Sequence, residues 1–78
     1  MRGMTPYYDE LDRKIAVARG LGDEQGDWWI VARGQHRVKS PALPPRRTPM
    51  ECQRDLERYA AKRGWRPLTI CELHGAGP

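Results

Sequence analysis

Trp28 and Trp29 stand next to each other in the stretch DWWIVARG, residues 27–34, and they are two of the chain's three tryptophans. The run from Trp28 to Ala32 is aromatic and β-branched, the composition of a strand. A strand sends neighbouring side chains to opposite faces, so the two indoles cannot enter one core together. The chain must therefore build a sheet with something to do on each side of it. Trp28, Ile30 and Ala32 share one face, and Trp29, Val31 and Arg33 share the other. Arg33 points to Trp29's side as the outer one, with Trp28 anchoring the core.

Seventy-eight residues make one small domain, 1–78, with a modest core. Around the strand at about 28–33, the punctuation divides the chain. Thr5-Pro6 reads as a helix start. Tyr8, Leu11, Ile15 and Ala18 follow at helical spacing, and Gly20 supplies a stop. These signals predict a helix over about 6–19, against a rival strand reading of KIAVA, residues 14–18. Residues 20–27 form a glycine-rich loop. Gly34-Gln35 turns the chain into a short strand at about 36–39, and 40–47 is a Pro-rich extended connector. Pro41 and Pro44 also fit a minimal P-x-x-P ligand pattern.

The sharpest local signal is Thr48-Pro49-Met50-Glu51, a capping box with proline in the first turn. It opens a helix over about 49–63 that Gly64 ends. Cys52, Leu56, Tyr59, Ala60 and Arg63 mark its inward face. LTICEL, about 68–73, reads as a last strand, and 74–78 as a frayed tail. The expected fold is α+β in the order α-β-β-α-β: a three-stranded antiparallel sheet with two helices on one face. Its other face stays partly open.

Charge is divided unevenly. Residues 1–32 hold four bases and six acids; residues 33–78 hold ten bases and four acids. Arg33, Arg37, Lys39, Arg46 and Arg47 follow the hairpin and connector. Arg54, Arg58, Lys62, Arg63 and Arg66 continue along and past the second helix. Such a run suits an anionic partner. An exposed Trp29 could stack on a base. The predicted binding surface is Trp29, Arg33, Arg37, Lys39, Arg46, Arg47, Arg58 and Lys62. The acidic first half offers an alternative phosphate-mimicking patch of Asp9, Asp12, Asp23 and Glu24.

Catalytic chemistry finds little support. Cys52 and Cys71 are candidate thiols and His36 and His74 candidate bases, but no nucleophile motif surrounds them. Those four residues lack the close ligand pairs of a structural zinc site. Gly20, Gly22 and Gly26 do not make a phosphate loop. The expectation is a protein that is not an enzyme and carries no metal or cofactor. No apolar run could span a membrane and no secretory h-region is present. The chain is expected to be cytoplasmic, with reduced cysteines, although a Cys52–Cys71 disulfide is geometrically open.

Residues 28–73, through WWIVARG, the basic second strand and the TPME helix start, resemble the small three-stranded-sheet-plus-helix modules at the start of phage integrases. Those modules lay the sheet on DNA. The resemblance implies binding to nucleic acid or a nucleoprotein complex, and it transfers no residue roles because the N-terminal segment and connector depart from the pattern. The chain is also similar in size and catalytic emptiness to phage-encoded anti-CRISPR and other accessory proteins. That likeness implies an inhibitor of a host protein, with Tyr7, Trp29, Trp65 and arginines as contact residues. A homodimer through the open sheet face is a further possibility.

Overall fold

The computed structural model describes residues 4–24 and 26–68. The protein is α+β, with one antiparallel sheet and one helix among the described residues. The strands are β1 (Tyr7–Tyr8), β2 (Lys14–Asp23), β3 (Gly26–Arg33), β4 (His36–Arg37) and β5 (Arg66–Pro67), in the spatial order β4-β3-β2-β1-β5. The helix α1 spans Pro49–Arg63 and packs on β2 and β3. Among the described residues the predicted sheet of three strands with two helices is thus corrected to five strands and one helix. The predicted strand at 68–73 and tail at 74–78 lie, apart from Leu68, outside the described residues.

The expected helix over 6–19 does not form, and the KIAVA strand reading wins. The reason lies at Asp9. Its buried carboxylate accepts hydrogen bonds from the amides of Leu11 (2.9 Å) and Arg13 (2.8 Å). The Asp9 amide donates to the Arg13 carbonyl, and Asp12 turns the chain with φ at 59°. Side-chain capping of local amides is how aspartate competes with a helix, and a left-handed residue interrupts one. The helical spacing of Tyr8, Leu11, Ile15 and Ala18 is coincidental: Leu11 is exposed, while Ile15 is wholly buried.

The predicted loop at 20–27 is also mostly strand. β2 and β3 form a long hairpin, pairing Ile15 with Arg33, Val17 with Val31 and Gly20 with Trp28, with an irregularity in register between Gly20 and Asp23. Gly22 is required there, because a Cβ on it would collide with the Gly26 carbonyl oxygen. Glycines mark close approach inside a strand as well as turns.

Register settles the tryptophan pair against expectation. Ile15, Val31, Val38, Leu43, Cys52, Leu56, Ala60 and Trp65 form the core, and Trp29 packs against it together with Tyr7, Val17 and Tyr59. Trp29 is inside and Trp28 outside, the reverse of the predicted phase. Arg33 misled because it does share Trp29's face. It sits at the end of that face, where its Nε lies 3.5 Å from an Asp9 oxygen, a charge contact that the core tolerates.

The connector 40–47 is structural. Trp29 and Arg46 exchange two backbone hydrogen bonds, of 2.6 and 2.9 Å, and Val38 donates to Val31, so these residues extend the β4 side of β3. Leu43 is buried in the core. From there the chain enters α1, which carries it across the sheet to β5 on the opposite edge. Thr48 caps α1 by accepting from the Glu51 amide at 3.3 Å, and its hydroxyl donates to the Glu51 carboxylate at 3.1 Å. Gly64 ends α1 in the left-handed region at φ 74°. The Trp65 indole then donates to Glu10 (2.9 Å), tying the helix exit to the β1–β2 turn.

Candidate nucleic-acid interface

Ion pairing sorts the basic residues into two groups. Arg13 and Arg33 meet Asp9, Arg19 meets Asp27, Arg46 meets Asp55, Arg47 meets Asp23 and Arg66 meets Asp12. These pairs lie at the fold's turns and edges, and those of Asp9 and Asp55 have a buried carboxylate. Among the described residues, no carboxylate pairs with Lys14, Arg37, Lys39, Arg54, Arg58 or Lys62.

Three of the second group form one stripe. Arg54, Arg58 and Lys62 recur every fourth residue on the exposed side of α1, which stacks them along a single line. The acids of the same helix are each engaged. Glu51 accepts from the Thr48 hydroxyl, Asp55 from Arg46 and Glu57 from the Gln53 amide. Asp55 is buried and held bidentately by Arg46, at 2.7 and 3.3 Å. Its hydrogen bonds and charge in turn push the Arg46 guanidinium further above its ordinary pKa. The stripe borders a groove of about 320 Å³ between the connector and α1, lined by Pro41, Pro44, Arg46, Arg58, Tyr59 and Lys62.

The structure therefore brings together Arg46, Arg58 and Lys62 from the predicted surface and disperses the rest. Trp29 lies against the core and offers no ring for stacking. Arg33 is committed to Asp9. Arg37 is exposed on the opposite, open sheet face, beside Trp28 and Ile30. Lys39 is exposed where the chain leaves β4. Arg47 grips Asp23 with hydrogen bonds of 2.9 and 3.1 Å and lies flat over Trp28, 3.6 Å from the ring centre. Arg46 and Arg47, expected in a connector with no role in the core, are both structural. Arg54 joins the stripe beyond the residues predicted; its four-residue spacing from Arg58 was visible in the sequence.

The alternative acidic patch is not assembled as an open surface. Asp9 is enclosed, while Asp12 and Asp23 are paired with arginines; Glu24 is exposed. Burial pushes the Asp9 carboxyl up, but the amides of Arg13 and Leu11 and the Arg13 guanidinium outweigh it and hold it below its ordinary value.

Two further candidates can be placed. Cys52 is wholly buried, and burial, with the Asp55 charge beside it, pushes its thiol up to about 11. A thiol that resists ionisation is a poor nucleophile at neutral pH. Cys71 and His74, named for a disulfide or a zinc site, lie outside the described residues. Among the described residues no helix is long and apolar enough to cross a membrane. No family model, curated protein or solved structure matches the chain.

Proposed function

We propose that this protein is a non-enzymatic nucleic-acid-binding protein that docks the exposed stripe of α1, Arg54, Arg58 and Lys62, on a phosphate backbone, alone or within a nucleoprotein complex. The observation that carries this reading is the division of the basic residues. Where the fold needs arginine it supplies an aspartate partner, and along α1 it leaves three cations without a carboxylate partner, although Glu51 and Asp55 line a depression with Arg54 and Arg58. Cations left in water can neutralise phosphates and release condensed counterions. Arg46, at the groove, adds positive charge beside them, moderated by Asp55.

Fluorescence anisotropy across a salt series tests the reading. Affinity should fall with salt. Replacing Arg54, Arg58 and Lys62 together by Gln should weaken binding and flatten the salt slope by about 1 for each phosphate no longer neutralised. Binding weaker than about 100 μM at low salt, the weak end of non-specific association, would sink it. Arg46 and Arg47 make a poor test, because replacing them would disturb the fold.

A second reading, inhibition of a host protein by direct binding, is favoured by the open sheet face. Ala16, Ala18 and Gly20 of β2 lie opposite Ala32, Ile30 and Trp28 of β3. They form a shallow apolar trough that Leu21, 94 % exposed, also lines. Apolar surface of this kind is where protein partners or a second copy of the chain would dock.

A further inference from the structure

We infer that the partner of the α1 stripe is a duplex, held through its backbone, and not a single strand held through its bases; this rests on the nucleic-acid reading. The chain has three tryptophans, three tyrosines and no phenylalanine. All six rings lie among the described residues; Trp65 is buried and the other five are partly buried. Tyr7, Trp29 and Tyr59 pack against the core, and Trp65 is part of it. Tyr59 also meets the Trp65 ring edge-on at 5.3 Å and lies under Arg63. The remaining two rings each carry an arginine: Arg47 over Trp28 at 3.6 Å and Arg66 over Tyr8 at 4.5 Å.

Proteins that hold single strands combine cations with aromatic platforms, because a flexible strand loses conformational freedom when bound and stacking offsets that loss. Here each ring is packed against the core or carries an arginine on a face, including Tyr59 at the groove beside the stripe. What remains suits a rigid, densely charged rod. The stripe's three cations are spread along about 12 Å of helix. A duplex carries one phosphate charge per roughly 1.7 Å of axis, already ordered. Recognition is then through phosphates and independent of base sequence.

The test compares one labelled mixed-sequence duplex with each of its separated strands, as DNA and as RNA, by anisotropy at low salt. The duplex should bind tighter by roughly fivefold or more, since neither form gains a stack and each phosphate contact releases about 0.9 counterions from a duplex against about 0.7 from a single strand. Trp28→Ala should leave both affinities unchanged, while the Arg54→Gln, Arg58→Gln, Lys62→Gln triple variant should weaken the duplex complex. Equal or tighter binding to single strands, above all if Trp28→Ala removes it, overturns this inference and leaves the nucleic-acid reading standing. Failure of duplex and single strands alike overturns both and favours a protein partner.

Discussion

Asp9 is the residue on which the first hairpin depends. Four hydrogen bonds with backbone groups and two guanidinium groups converge on it within five residues of chain and across to β3. Its folded pKa lies below its ordinary value, so its contribution is complete above that value and is lost as pH falls through the lower, folded one. Asp9→Asn should therefore lower the melting temperature at neutral pH, and the gap to the parent protein should close below about pH 4. A gap constant down to strong acid would show that the carboxylate's charge is not what matters. Trp28 and Trp29 give the second residue-scale prediction. Trp29→Ala should cost about 3 kcal/mol, the low end for truncating a core aromatic. Trp28→Ala should cost about 1 kcal/mol, the worth of an exposed cation–π contact. Denaturant melts of the two variants decide the strand phase directly.

At the scale of elements, α1 and β2 behave in opposite ways, and β2 forms although it leaves Leu11 exposed. Helix α1 has every local signal in agreement: a Thr48 cap, Pro49 in the first turn, Lys62 and Arg63 in the last, and Gly64 beyond. Thr48→Ala should cost about 1 kcal/mol, measured as a shift in denaturation midpoint; an unchanged midpoint would mean the cap hydrogen bond is dispensable. The segment leading into β2 carries equally good punctuation, Thr5-Pro6 and Gly20, yet becomes a turn and a strand. Local signals say only where a helix could begin. Ile15 and Val17, β-branched and alternating, find partners in Arg33 and Val31, and cross-strand pairing of this kind outweighs a weak helical face.

For the whole molecule, the connector decides how the parts close. It pairs with the edge of β3 through Arg46, plugs the core with Leu43 and positions α1 over the sheet. Leu43→Ala should therefore destabilise the protein by about 3 kcal/mol, within the usual range for a buried leucine. A cost under about 1 kcal/mol, ordinary for a surface change, would show that the connector is only a tether. The same closure fixes which cations are free. Arg46 is drawn onto buried Asp55, and Arg47 onto Asp23 and Trp28, while Arg54, Arg58 and Lys62 are turned outward.

The α+β class, the bounds of α1, the strand at WWIVAR and the four-residue spacing of the α1 cations were legible in the sequence, because each depends on residues within one or two turns of each other. The conversion of residues 6–19 into strands, the phase of the tryptophan pair and the pairing of Arg33, Arg46 and Arg47 were not. The local turn at Asp9 aside, each rests on a contact between residues distant in sequence, such as Asp9 with Arg33, Trp29 with Arg46 and Asp23 with Arg47. A count of charges cannot distinguish a guanidinium that closes a fold from one that waits for a phosphate. That distinction depends on where the aspartates end up, and only tertiary structure brings them there.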